Sequence, residues 1–384
     1  MANELTLNSL ANDIYVSADT VGREQTGFIP AVTMNADHSR GGLNDSVKAA
    51  FTQVAAPTDI TQLMDIPEGA TTAIDSKSLT LSKSRAVQIP MEADAELQLR
   101  QGGHYDTVYG DLISQAMRAL SNEMEADLAL AAKEGAGGAS GAVGTEPFAS
   151  DFESVATARS RLVEYGCPTT DLQMILSGAQ GAKLRGLGSL TDANRAGTDA
   201  FARQGVLLDL YGVEMRESGS ISAHTAGAAT GLDITGADAI GATSISFDGG
   251  DSGTILKGDA IKFANDTRKY ILSADGAASA TPTLVLNSGL KDATAVGEEM
   301  TIEASHTPLA LFHRSALELA MRAPAIPSVG DAADDSMIVQ DPISGLVFEV
   351  RIYKGYRKSM IEVGATWGVK AWKSDFIHRV IAPL

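Results

Sequence analysis

The apolar positions of this chain change period several times, and each change marks a different kind of element. Leu7, Leu10 and Ile14 stand at helical spacing and predict a short amphipathic helix. Beyond a polar stretch around Asn44 and Ser46, the residues Val47, Ala50, Phe51 and Val54 recur at i, i+3, i+4 and i+7. That spacing predicts a second helix, stopped by Pro57. Two short helices with little between them do not bury their own apolar faces. Residues 1–57 therefore read as an arm that rests on another surface, of this chain or of a neighbour.

Residues 58–100 read as extended. Leu79 and Leu81 alternate with polar residues, and so do Val87, Ile89 and Met91. Lys83, Ser84 and Arg85 lie between the two runs, as a turn or as a solvated part of a strand. The whole segment resembles a long two-stranded excursion. An isolated hairpin is marginal in water, so this one is expected to lie on something.

The longest regular pattern spans residues 105–134. Val108, Leu112, Ala116, Leu120, Met124 and Leu128 advance by fours along one stripe, with Lys133 late and Gly135 as a C-cap. A helix of that length, roughly 45 Å at 1.5 Å per residue, reads as a spine. The glycine-rich run Gly135–Gly144 reads as a flexible linker. Ser150 and Glu153 have the spacing of a capping box for a helix ending near Tyr165 and Gly166. A strand is expected over Leu172–Leu176, a short surface helix and loop over Gly178–Gly188, a helix over Asp192–Arg203, and strand and turn over Val206–Met215.

From residue 231 to 304 the texture changes to short β-prone runs: Thr243–Phe247, Ala260–Ala264, Lys269–Ser273, Thr283–Leu286 and Met300–Glu303. Turn clusters such as Asp248-Gly249-Gly250 separate them, which predicts a small β-barrel or sandwich inserted into a surrounding domain. Leu309–Arg322 fits either a strand or a helix. Strands are expected around Val347–Tyr353, Met360–Lys370 and Phe376–Ile381, giving a β-rich end that packs on the long helix. The fold class that results is α+β.

Composition narrows the function more than the fold. The 384 residues carry a net charge of −18, which disfavours tight binding of a phosphate backbone and keeps a self-associating subunit soluble. Cys167 is the single cysteine, so no intrachain disulfide forms, which fits a reducing compartment such as the bacterial cytoplasm. Met1–Leu10 has neither a basic region nor an apolar run, so no signal peptide is expected, and no stretch has the length of a membrane span.

Catalytic motifs are absent from the sequence. It holds no H-E-x-x-H, G-x-S-x-G, C-x-x-C or dinucleotide fingerprint. His38, His104, His224, His306, His313 and His378 are scattered, with no pair at metal-ligand spacing on one helix. No catalytic, cofactor or metal residue is assigned. The glycine runs lack the Gly-Lys-Ser/Thr ending of a phosphate loop. The densest basic cluster, Arg351, Lys354, Arg357 and Lys358 with Tyr353 and Tyr356 interleaved, reads as a solvated strand connection, ahead of a phosphate contact or a pairing with a neighbour's acids.

The order of elements resembles the major capsid (coat) proteins of tailed bacteriophages with the Hong Kong 97 fold. Gln204-Gly205-Val206 through Tyr211-Gly212-Val213 looks like the stretch that precedes an inserted domain in coat proteins of the Salmonella short-tailed phage type. Gly345 to Arg351, Trp367 to Lys370 and Phe376 to Val380 resemble the closing strands of that family. The resemblance implies an N-terminal arm (1–57), an extended loop (58–100) and a peripheral domain with spine helix and linker (101–144). An axial domain (145–230), an inserted β-barrel (231–304) and an axial and peripheral return (305–384) follow.

The resemblance also implies a structural subunit without catalysis or cofactor. Such a subunit self-assembles as hexamers and pentamers into the icosahedral shell around a phage double-stranded DNA genome. Its partners would be copies of itself, a scaffolding protein and a portal protein, with only weak non-specific contact to DNA and none to membrane. It would be found in the virion after assembly in the host cytoplasm. Lys77, Lys83 and Arg85 on the loop are expected to meet acids of an adjacent subunit. The alternatives are an encapsulin-like compartment subunit, a hydrolase whose residues meet only in the fold, and a phage tail or adhesion protein, which the long helix disfavours.

Overall fold

The computed structural model describes residues 7–24, 27–52, 74–102, 105–187, 211–248, 253–276, 283–341 and 344–384. The chain opens with helix α1 (Leu7–Glu24) and the single turn α2 (Phe28–Ala31). The apolar face of α1 (Ile14, Ala18, Val21) is buried against the long helix α4 (Tyr105–Gly135) of the same chain. On another side α1 approaches the segment after Ala333–Gln340, where a Cβ on Gly22 would overlap the Asp341 carboxylate.

Strands β1 (Thr33–Gly41) and β2 (Ser46–Thr52) follow. A helix is expected from Val47, and the structure has a strand there instead. Ser46–Thr52 pairs along its whole length with β3 (Ile74–Thr80), and Val47 packs on Leu79 and Leu81. A helical spacing over so few residues is a weak signal, and the ladder overrides it; the rest of the expected helix, to Pro57, lies outside the described residues.

The two expected strands of the 58–100 excursion exist but do not pair with each other. β3 joins β2, whereas β4 (Lys83–Glu92) joins β18 (Lys358–Ala371), from Lys83↔Trp367 to Glu92↔Lys358. Leu79 and Leu81 bury against Ala320, while Ile89 enters the main core, so the chain passes from one surface to another. The extended reading also ends early: α3 (Ala93–Gly102) is helical. Its Ala, Glu, Leu, Gln and Arg residues are strong helix formers.

The spine helix stands where its pattern places it. Tyr109, Ile113, Ala116, Met117, Leu120, Met124 and Leu128 form its buried face. After it, the expected linker is a core strand, β5 (Gly138–Ser140), with all its residues buried. Its glycines serve close backbone packing: a Cβ on Gly137 would lie 2.7 Å from the Ser374 carbonyl oxygen, and one on Gly138 would lie 3.0 Å from that of Lys269. α5 (Glu153–Glu164) starts without the capping box, since Asp151 rather than Ser150 accepts the Glu153 N–H at 3.0 Å. β6 (Leu172–Leu176) and α6 (Gly178–Arg185) lie at their expected places. The helix expected over Asp192–Arg203 lies outside the described residues.

The remaining strands are β7 (Val213–Glu217), β8 (Leu232–Asp233), β9 (Ser244–Ser246), β10 (Ala260–Phe263), β11 (Lys269–Ile271), β12 (Thr283–Val285) and β13 (Glu299–Ile302). They continue with β14 (Thr307–His313), β15 (Leu317–Pro324), β16 (Ala333–Gln340), β17 (Val347–Gly355), β18 and β19 (Ile377–Ala382). The undecided stretch Leu309–Arg322 is thus two strands around a short 3-10 turn.

A nine-stranded sheet runs β7-β6-β14-β19-β5-β11-β10-β13-β8, and a six-stranded sheet runs β1-β15-β18-β17-β16 with β4 on β18. The bridges Ile234↔Phe247 and Leu272↔Leu286 link the β9–β12 pair to β8 and β11. The strands β8, β13, β10, β11, β12 and β9 therefore follow one another in a ring around Ile245, Phe247, Ile261, Phe263 and Leu284. The ring is fused to the body at the β11–β5 pair.

Candidate interaction surfaces

The three cations expected to meet a neighbour lie on two strands, Lys77 midway along β3 and Lys83 and Arg85 on β4. Lys77 pairs with Ala49 in the β2–β3 hairpin. Lys83 and Arg85 open β4 and reach the spine helix of their own chain. The Lys83 amine is 2.9 Å from Glu123 and 2.8 Å from Asp127, and Arg85 is 3.6 Å from Glu123. The two hydrogen-bonded carboxylates outweigh desolvation and hold the Lys83 amine above its ordinary pKa. Asp127 also accepts the Trp367 indole N–H at 2.9 Å, so one carboxylate ties β4, β18 and α4 together. Arg85 keeps 60% of its side chain exposed.

The hairpin base is a close-packed joint. Gly368 lets the Thr80 carbonyl approach β18 where any Cβ would overlap it, and Lys370 donates to the Ser78 carbonyl at 2.7 Å. Beyond this base, β2 and β3 pair only with each other among the described residues.

The basic cluster of the sequence is divided by the fold. Arg351 turns inward, within 2.5 Å of Asp331 and 3.3 Å of the buried Glu349, which also takes Arg40 at 2.7 Å. Lys354 pairs with Asp334 at 2.8 Å. Arg357 and Lys358 occupy the exposed β17–β18 turn with Tyr356.

Sequence spacing did not bring the histidines together, but the fold does so for two of them. His224 and His306 exchange backbone hydrogen bonds, and their rings lie 5.5 Å apart. His224 Nε2 is 2.8 Å from Asp259, whose carboxylate also accepts from the N–H groups of Gly227 and Leu256. The buried Arg379 donates to the Lys133 carbonyl at the end of α4. Burial, and then the nearby Arg379 and His224, push His306 down to about 4. Burial lowers Arg379 to about 9, against the pull of Asp259 and Glu134. Asp259, His306 and Arg379 are fully buried, and His224 nearly so. Only the register of the fold reveals this cluster, because its members come from four separate segments.

Cys167 is buried, and desolvation raises its thiol to about 11, the state of an unreactive core residue. Among the described residues, no group of three or more His, Cys, Asp or Glu side chains is placed to hold a metal, and no helix is long and apolar enough to cross a membrane.

No family model matches the chain, and no curated protein matches it. Among solved structures it is similar to the capsid structure of the cyanophage P-SCSP1u, at 12% identity and TM-score 0.49, over 94% of this chain and 88% of that one. It is similar to a chain of Mycobacterium phage Che8 at 13% identity and TM-score 0.48, over 93% and 91% of the two chains. A third is the mature capsid of bacteriophage PhiM1, at 10% identity and TM-score 0.45, over 91% and 85%. Two of these three are described as phage capsids, the cyanophage and PhiM1 structures.

Proposed function

We propose that the chain is a major capsid protein of the Hong Kong 97 type, a structural subunit that self-assembles into the icosahedral shell of a tailed phage. One observation carries the reading: among the described residues, the β2–β3 hairpin is a two-stranded sheet that packs on the body at its base, through Leu79, Leu81 and Ala320. A hairpin of that kind is marginal on its own and gains stability from a surface supplied by another copy. The ring of strands at residues 231–304, fused to the end of the spine helix, supports the subtype with an inserted β-barrel domain.

In this reading hexamers and pentamers form through many modest contacts, and cohesion is their sum. Lys77, Lys83 and Arg85 face acids of the adjacent subunit, with Lys83 held in position by Glu123 and Asp127. A scaffolding protein and a portal direct assembly in the host cytoplasm, and the packaged DNA is touched weakly. Negative-stain microscopy of the purified protein, alone and with neighbouring genes co-expressed, tests the proposal. Closed shells tens of nanometres across are expected. A small monodisperse species under both conditions overturns it, and shells that hold cargo protein instead of genome assign the chain to the encapsulin-like alternative.

A further inference from the structure

Two turns leave the same end of the six-stranded sheet. Gly355 pairs with Lys358 across the β17–β18 turn, and Ala333 pairs with Tyr353, so the segment entering β16 emerges beside that turn. These turns carry the two most exposed large apolar side chains among the described residues, Val329 at 95% and Tyr356 at 88%. Singly exposed apolar residues are ordinary, but a tyrosine and a valine on adjacent tips make a candidate anchor.

Backbone bonds set both turns in advance. Gly330 donates to the Pro327 carbonyl at 3.0 Å, and Arg357, left-handed at φ 54, accepts from the Ala93 N–H at 3.1 Å. A surface so ordered loses little further freedom on binding.

The charges at this end come in matched signs. Arg351 and Lys354 are occupied by Asp331 and Asp334, while Arg357 and Lys358 stand exposed on the turn. Beside them, at the β4–α3 corner, Glu92 pairs in register with Lys358 and Asp94 opens the helix, both exposed. A phosphate backbone approaching the two cations meets the two acids as well. A second copy meets neither penalty, because its cationic turn fits the acidic corner and its corner fits the turn.

We propose that this end of the sheet is a self-complementary contact between copies of the chain. The Arg357–Lys358 turn of one copy lies against the Glu92–Asp94 corner of the next, with Tyr356 as the apolar anchor. The inference rests on the self-association proposed above.

The test uses the full chain and three variants: Tyr356→Ala, Arg357→Glu with Lys358→Glu, and Glu92→Lys with Asp94→Lys. Circular dichroism establishes folding, and sedimentation velocity and electron microscopy read assembly. Each variant is expected to raise the protein concentration needed for association roughly tenfold or more. Mixing the two charge-reversed variants is expected to restore it. Within each chain the reversed pair still clashes with its neighbour, so only contacts between copies account for that rescue. Should a charge-reversed chain fail to fold, Tyr356→Ala alone decides.

Wild-type shells that form equally well from folded variants overturn this contact and leave the proposed function standing. Folded charge variants that weaken assembly without rescue on mixing overturn it too. So does loss of binding to a short DNA duplex with assembly unchanged, which assigns the turn to nucleic acid. A wild-type chain that stays monomeric at every concentration removes both readings.

Discussion

The Glu125 carboxylate, on the spine helix, accepts the backbone N–H of Phe28 at 2.6 Å, from 97 positions away in sequence. It also takes the Ile29 N–H at 3.0 Å and the Ser218 hydroxyl at 2.8 Å, and it is 4% exposed. The carboxylate is thus buried and accepts from three donors, two of them N–H groups of the first turn of α2, which have no partner within the helix. Gly27 is required beside it, because a Cβ there would overlap the carboxylate.

Glu125→Ala leaves those donors buried without a partner and is expected to destabilise the fold by about 2–4 kcal/mol. Chemical denaturation reads the loss. Proteolysis of the variant should begin near residues 27–32, since the joint that fails there is local.

At the hairpin base, Gly368→Ala forces the Thr80 carbonyl away from β18. A cost of about 1–3 kcal/mol is expected, as for an overpacked core. Hydrogen exchange should quicken in β3 while β6 and β14 stay protected, and uniform loss of protection would contradict a local joint.

Lys83→Ala removes a cation shared by two partly exposed acids, and about 1 kcal/mol is expected from a pair of that exposure. Lys83→Glu places like charges beside Glu123 and Asp127 and should cost more. Thermal melts at low and high salt separate the two, because salt screens the repulsion and narrows the difference.

His306 makes stability depend on pH. Its pKa in the fold, about 4, lies below the ordinary 6.5, so the unfolded chain binds the extra proton between those values. Its contribution is complete above about pH 6.5 and declines as pH falls toward 4, by up to roughly 1.4 kcal/mol per pH unit. His378, lowered to about 3 by burial, adds a slope of the same sign. His306→Gln, which keeps a donor for the Ala304 carbonyl, should flatten the urea-midpoint profile between pH 6.5 and 4.

The parts of the fold legible in the sequence are those whose pattern is long or fully buried. The stripe from Val108 to Leu128 marks α4, and Leu172–Leu176 marks β6, because one period persists or every residue is apolar. The run Gly135–Gly144 misleads, since glycine signals freedom in a linker and close approach in a packed strand with the same letters. Val47–Val54 misleads because a helical spacing over four apolar residues is a short sample, and the ladder with β3 overrides it over Ser46–Thr52. The exposed turn at Tyr356 was legible as a basic, aromatic cluster. Which of its cations would be spent on Asp331 and Asp334 was not, because β16 is brought alongside only by the sheet.

Asn287 donates from its side chain to the carbonyls of Glu134 at 2.6 Å and Ala136 at 2.7 Å, clasping the last turn of the spine helix to the ring of strands. Ser288 adds a bond to the Gly137 carbonyl at 2.8 Å. Mechanically, helix and ring are one lever with its load welded on. A tilt of about 5° at the α1 end sweeps the far end of a helix roughly 45 Å long through about 4 Å. The α1 contact at the Gly110 carbonyl and the Asn287 clasp at Glu134 thus stand near opposite ends of one helix, so the helix carries the distance between them.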